Sequence, residues 1–193
     1  MIEGFHDEQD LKIFENRLKE KHELFYLIWK VGVNLALRVS DVLKITINDC
    51  NRFLEKKEYW SIDKKTKKRN AVKLNDNTLQ AFKRALELRN NSKVPKENLY
   101  LFVAQGNRAS NTLSPVSRQA VDKYFKEAVH DENLNINIGT HTMRKTWGRL
   151  AYNKGIRLEV IMKRLNHSSQ ATTLMYLGIT DKEIDDVVAD LNI

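Results

Sequence analysis

Cysteine is almost absent from this chain. Cys50 is the only one in 193 residues, which excludes an internal disulfide and any zinc site built from several thiolates. Two prolines and seven glycines leave few breaks, and no Pro/Gly/Ser-rich linker, internal repeat or low-complexity run divides the sequence. The longest strongly apolar run, residues 24–29, is far too short to span a bilayer, and no positively charged start leads into an apolar stretch as a secretory signal requires. Neither a P-loop nor a cluster of carboxylates is present, so the sequence offers no nucleotide cradle and no metal site. The expected setting is a reducing cytoplasm, with no membrane partner.

A chain of this length fits one domain over residues 1–193, large enough to bury about 70% of its unfolded surface. Its 41% hydrophobic and 30% charged residues are ordinary for a globular protein. The charge balance is more telling. The net charge is +8, and it is unevenly spread. Residues 52–73 hold nine Lys/Arg against three Asp/Glu, whereas residues 181–193 hold five acids and one base. A basic run of this kind forms a solvated face or grips a polyanion, and nucleic acid is the polyanion expected here.

Periodicity and turn residues predict a mainly α fold with one small antiparallel sheet. Helix is expected over residues 7–36 with an interruption near Lys21 and His22, and Ser40 is a candidate cap for a short helix over 41–44. Residues 45–74 change character: EYWSI and NAVKL are β-prone and flank the lysine-rich turn 63–68, a hairpin with a basic tip. Asp76 is expected to cap a helix carrying Leu79, Phe82 and Leu86, and Ser114-Pro115 to open another that runs to about His130. Further helices are expected over 140–153, ended by Gly155, over 158–165 and over 169–176, followed by an amphipathic segment over 182–191.

Four residues of the C-terminal half carry the chemistry: His141, Arg144, His167 and Tyr176, with Arg38 a hundred residues upstream. His141 and Arg144 form an HxxR at a helix start, beside an apolar stripe of Met143, Trp147, Leu150 and Ala151, where the backbone dipole favours an anion. Alone, an HxxR is a capping histidine and a surface arginine, and a lone tyrosine is a packed ring with its hydroxyl at the surface. A phenol with its ordinary pKa near 10 is ionised to only about one part in a thousand at neutral pH. A nucleophilic Tyr176 therefore needs a cationic pocket, which two arginines, a lysine and two histidines would supply.

Together, ALRVSDVL around Arg38, the lysine hairpin, HTMR, LNHSS and Tyr176 resemble, in order and spacing, the catalytic domain of the tyrosine recombinases (phage integrases). Ala36 stands where the family motif has Gly, and Asn166 replaces the Gly of LGHSS; Asn is the residue that best substitutes for Gly at positive φ. The resemblance implies the mainly α catalytic-domain fold and a site-specific recombinase that needs neither metal nor cofactor. Tyr176 would attack DNA to give a 3′-phosphotyrosine, with Arg38 and Arg144 on the phosphate, His141 as base and His167 bonded to the phosphate. A hairpin lysine would protonate the leaving 5′-oxygen. Lys65 fits the family's lysine context best, with Lys64, Lys67 and Lys68 as near competitors; those three and Arg69 are otherwise expected to grip DNA phosphates. The resemblance further implies double-stranded DNA as partner, a tetramer in the synapse, and a bacterial or phage origin. Segment 182–191 would dock on a neighbouring protomer or fold back on its own core. The catalytic domain begins almost at Met1, so no core-binding or arm-binding domain is expected in this chain. The alternative reading is a non-catalytic DNA-binding regulator derived from a recombinase.

Overall fold

The computed structural model describes residues 2–62, 69–104, 113–179 and 189, with residues 62, 69 and 70 described through their backbone alone. Asp7 caps α1 (Glu8–Lys21), its side chain accepting from the Gln9 amide at 2.6 Å, and Phe14 and Leu18 form the buried stripe. His22, at φ −150° and ψ 74°, closes α1 and opens α2 (Glu23–Asn34), so the interruption expected at Lys21–His22 is a sharp corner made without Gly or Pro. Helix α2 is apolar nearly all round and is the buried centre of the fold, packed by α1 and by four later helices, Val39–Val42, Asp76–Asn90, Arg118–Asp131 and Thr142–Asn153. Trp29 sits at its middle. Phe14, Phe125 and Phe5 meet the Trp29 ring edge-on at 4.7, 5.4 and 5.8 Å between centroids, and the indole N–H donates to Glu15 at 2.9 Å.

The short α3 (Val39–Val42) begins after Arg38, not after Ser40, and no side chain caps it. Helix α4 (Ile47–Lys56) falls inside the 45–74 stretch, ahead of the two β-prone segments, where no helix is expected from the sequence. Thr46 and Asp49 form a full capping box there: the Asp49 amide donates to Thr46 Oγ1 at 3.0 Å and the Thr46 amide to Asp49 Oδ2 at 3.1 Å. Cys50, on this helix, is wholly buried, and burial pushes its thiol up to about 12. Strands β1 (Glu58–Ile62) and β2 (Arg69–Lys73) pair antiparallel with Trp60 opposite Ala71, which is the expected hairpin.

Helix α5 (Asp76–Asn90) is capped by Asn75, one residue before the expected Asp76. Helix α6 (Arg118–Asp131) starts at the Ser117 cap, so Ser114-Pro115 lies in the approach to the helix. Helices α7 (Thr142–Asn153), α8 (Leu158–Leu165) and α9 (Gln170–Leu177) follow as expected to within two residues. Two close approaches seat them. A Cβ at Gly32 would collide with the Met143 thioether, which lets α7 lie directly on α2. A Cβ at Gly148 would stand 2.5 Å from the Leu177 side chain, which brings α9 onto α7. A small second core of Ala36, Ile161, Leu165 and Leu177, flanked by Trp147, Ala151 and Tyr176, forms where α7, α8, α9 and the end of α2 converge. Among the described residues no helix is long and apolar enough to cross a membrane. Segment 182–191, apart from Ala189, lies outside the described residues.

Candidate active site

The backbone leading to Arg38 is a helix end held in an unusual way. Helix α2 finishes with the Leu37 amide donating to Gly32 O at 2.9 Å and the Ala36 amide to Val33 O at 3.4 Å, the paired bonds of a Schellman turn. Such a turn places its C′ residue in the left-handed region, and Ala36 has φ +48°. An alanine there carries strain that glycine would not, of about 1–2 kcal/mol. The turn then delivers Arg38 in extended conformation ahead of α3, with its side chain exposed and, among the described residues, making no hydrogen bond or ion pair.

Arg144 is the opposite case. It is buried, and its guanidinium donates to Ala36 O at 3.0 Å and also to Leu165 O. Both acceptors lie where a helix ends and carbonyls lack helical partners. Arg164 reaches the same region and donates to Leu35 O. Burial, and then the charge of Arg38, hold the Arg144 pKa below its ordinary value, so the two guanidinium groups share one region and repel. That is the electrostatic condition of a site built to receive an anion.

The histidines are tuned by the same charges. His141 caps α7 by position but forms no side-chain cap bond, so its exposed ring is not used to finish the helix. Loss of part of its hydration to neighbouring groups, followed by the charges of Arg38, Arg144, Arg118 and Lys145, keeps it below the usual histidine range. Asn166 takes φ +49° at the end of α8, as expected for the residue standing in for Gly, and the His167 amide donates to Met162 O at 3.0 Å. His167 Nδ1 lies 3.2 Å from Thr173 Oγ1, whose own proton goes to Ser169 O at 2.9 Å. The hydroxyl proton being committed there, Nδ1 is the donor in this pair, and Nε2 faces away from it. Burial, then Arg144 and Arg38, also depress the His167 pKa.

Tyr176 stands near the end of α9, whose cap Ser169 accepts from the Thr172 amide. Its hydroxyl is buried and has no hydrogen-bond partner of acceptable geometry among the described residues. The Arg144 guanidinium is nonetheless near enough to pull the phenol pKa down, as is Arg38, while burial raises it by more. The group therefore rests as a neutral phenol. Its ring meets the His167 ring edge-on at 5.0 Å and 83°, and Lys145 Nζ lies 4.9 Å from its centroid.

Arg38, Arg144, His141, His167 and Tyr176 are thus brought to one place from four elements. Arg38 and Arg144 open into a groove of about 1120 Å³ between α3, the hairpin and α8, together with Lys163, Arg164, Tyr59 and Trp60; the histidines and Tyr176 stand beside that groove and do not line it. Lys65, with Lys64, Lys67 and Lys68, lies outside the described residues, and Arg69 is described only as backbone of β2 paired with Ile62. The buried side of α7 differs from the expected stripe. Met143 is fully buried, but Trp147, Leu150 and Ala151 are only half-buried, and Arg144, Lys145, Thr146 and Arg149 are buried with Met143. Lys145 and Arg164 were not singled out from the sequence. The available signals were the i,i+4 spacing of Lys145 from His141 and the position of Arg164 three residues before His167.

The model of the phage integrase family matches residues 8–183. The chain is 33% identical over 164 residues to the probable integrase/recombinase YoeC of Bacillus subtilis, covering 85% of this chain and 82% of that protein. It is 26% identical over 177 residues to a tyrosine recombinase of Thermosipho africanus and 26% over 165 to the tyrosine recombinase XerC of Caldanaerobacter subterraneus, covering 92% and 84% of this chain. It spans 56% and 43% of those two relatives, about half their length. Among solved structures, XerA recombinase superposes with a TM-score of 0.75 at 19% identity, covering 100% of this chain and 65% of the other. XerH bound to its palindromic difH substrate, in a post-cleavage complex, gives 0.68 at 18%, covering 97% and 52%. The mainly helical fold with one two-stranded sheet is that of the tyrosine recombinase catalytic domain, and the chain belongs to the phage integrase family.

Proposed function

We propose that the chain is the catalytic unit of a site-specific DNA recombinase, cutting and rejoining strands through a 3′-phosphotyrosine. The observation that carries this reading is the Tyr176 hydroxyl, buried beside Arg144 and without a well-formed hydrogen bond among the described residues. A buried hydroxyl without a partner is uncommon in a resting protein and is readily explained where the partner is the substrate.

In the proposed reaction a DNA phosphate sits between Arg38 and Arg144. The Tyr176 oxygen attacks phosphorus, and its proton passes to His141, which is kept neutral and able to accept it. The bond from phosphorus to the 5′-oxygen breaks, and Lys65 of the hairpin protonates that leaving oxygen. Rejoining reverses each transfer. Each guanidinium, aimed at charge that grows in the transition state, would supply about 2.7–4 kcal/mol. His167 gives the phosphate a hydrogen bond from Nε2, and because its Nδ1 already donates to Thr173, that bond needs the protonated ring, which an incoming phosphate favours. The bond energy is held in the phosphotyrosine, so the scheme uses no metal or cofactor.

Double-stranded DNA is the proposed partner, with Lys64, Lys67, Lys68 and Arg69 gripping phosphates and binding that weakens steeply with salt. Exchange between two duplexes implies a tetramer in the synapse, with segment 182–191 docking between protomers, and the proposed setting is a bacterial cytoplasm. The test is to trap an SDS-resistant adduct on nicked or phosphorothiolate-bearing DNA from the genomic flanks of the gene. An adduct present with the native chain and lost in Tyr176→Phe supports the reading. DNA binding without any adduct overturns it in favour of a non-catalytic DNA-binding protein.

A further inference from the structure

Lys145 has no part in the reaction just outlined, yet its placement is costly. The residue is 8% exposed. No carboxylate pairs with it among the described residues; Glu3, the acid that acts on it, accepts from the Asn137 amide at 2.8 Å. A lysine whose stem is buried and whose ammonium has no ion pair is retained only where something else favours it. What it meets is the Tyr176 ring, 4.9 Å from Nζ to the centroid.

That contact matters because the ring carries the reacting oxygen. Tyr176 is the penultimate residue of an eight-residue helix, and its hydroxyl has no well-formed hydrogen bond among the described residues. The phenol is set by packing: one side of the residue lies on the small core of Ala36, Ile161, Leu165 and Leu177, and its ring also meets the His167 edge at 5.0 Å and Lys145. The N-terminal strap backs Lys145: the Phe5 amide donates to Thr146 Oγ1 at 3.0 Å, and Gly4 passes so close that a Cβ there would stand 2.9 Å from Lys145 Cβ.

We propose that Lys145 is a positioning residue, its ammonium seated on the Tyr176 ring so that the phenol hydroxyl is held at the Arg38–Arg144 pair. The inference rests on the reading of Tyr176 as nucleophile. It differs from a phosphate-contacting role, because the ammonium engages the ring and acts through Tyr176. A cation on the ring also favours phenolate over phenol, since the phenolate charge spreads into the ring.

The experiment compares the native chain with Lys145→Met and Lys145→Arg. The readouts are duplex affinity, the single-turnover rate of adduct formation at saturating nicked DNA, and the near-ultraviolet circular dichroism of Tyr176 at neutral pH, isolated by difference against the matching Tyr176→Phe chain. Lys145→Met is expected to bind DNA as the native chain does, to form adduct on the order of tenfold more slowly, and to lose much of the Tyr176 dichroic band. Lys145→Arg is expected to retain most of the rate. The inference is overturned if Lys145→Met cleaves at the native rate, if its only loss is in affinity, or if both variants are equally slow and equally destabilised. Should the native chain form no Tyr176-dependent adduct, the recombinase reading falls separately. The dichroism then decides alone, and a Tyr176 band unchanged by Lys145→Met removes the pairing.

Discussion

Arg144 donates a hydrogen bond to the carbonyl of Ala36, two residues before Arg38. One arginine of the pair therefore holds the turn that carries the other. The same guanidinium bonds Leu165 O, just ahead of the turn that carries His167, so a single side chain ties the two approaches to the site together.

This separates the two arginines experimentally. Arg144→Ala leaves two buried carbonyls unpaired and is expected to lower stability by roughly 2–4 kcal/mol. Arg38→Ala removes an exposed side chain without bonds among the described residues and is expected to change stability by less than about 0.5 kcal/mol. Both are expected to abolish adduct formation. Urea unfolding of the two variants, read beside the adduct assay, checks this; equal destabilisation would mean that the Ala36 and Leu165 bonds contribute nothing net.

The difference between these arginines shows how far the sequence could be read. Arg38, HxxR, His167 and Tyr176 could be picked out together because their order resembles the motifs of the tyrosine recombinases; local pattern alone singles out none of them. The bonds of Arg144 were not legible, since Ala36 lies 108 residues away and no local pattern announces a carbonyl waiting there. For the same reason the buried side of α7 was misjudged. Apolar periodicity selected Trp147, Leu150 and Ala151, whereas the helix buries Arg144, Lys145 and Arg149, polar groups whose surroundings come from distant segments. Helix α4 was hidden by β-prone neighbours, although Thr46 and Asp49 already spell its capping box. The cap placed at Ser40 missed by two residues because Arg38 stands at the cap position of α3 with no side-chain cap bond, and the one at Ser114 missed by three because Ser117 supplies the cap bond.

Asn166 offers a test of backbone geometry. At φ +49°, Asn166→Gly is expected to leave the melting temperature and the cleavage rate close to native. A β-branched residue is poorly tolerated there, so Asn166→Val is expected to cost about 1–2 kcal/mol and to slow adduct formation further by displacing His167. Thermal melts with single-turnover cleavage distinguish the two. A Val variant as active as the Gly variant would show that the turn does not place His167.

Gly148 controls how closely α9 lies on α7. A Cβ there would stand 2.5 Å from Leu177 Cδ2, the end of a flexible side chain, so Gly148→Ala is expected to be accommodated by a small shift. Leu177 is the residue next to Tyr176, and the shift moves the nucleophile with it. The expected result is a fold stability reduced by about 1 kcal/mol and a cleavage rate reduced more than that loss explains. The check is adduct formation at a temperature where the variant is fully folded; a native rate there would show that Tyr176 has room to adjust.

The depressed histidines set a pH dependence whose sign follows from linkage. The folded pKa values of His141 and His167 lie below the ordinary 6.5, lowered by burial and then by nearby arginines, and that of His22 is lowered mainly by burial. Below about pH 6.5 the unfolded chain therefore binds protons that the folded chain resists. The stability these groups contribute is fully present above that pH and is lost as the pH falls through the window beneath it. Glu23, Asp49 and Asp131, whose folded pKa values are also lowered, lose their share only at more acidic pH. The melting temperature is thus expected to fall between about pH 7.5 and about pH 5.5 before any carboxylate is protonated, and the fall is expected to flatten in a His141→Gln, His167→Gln double variant. Bound duplex should oppose part of it, because a phosphate between Arg38 and Arg144 favours the imidazolium form of His167. Differential scanning calorimetry with and without duplex reads both effects. A free protein whose melting temperature is flat or rises on acidification would show that the arginines do not govern these histidines.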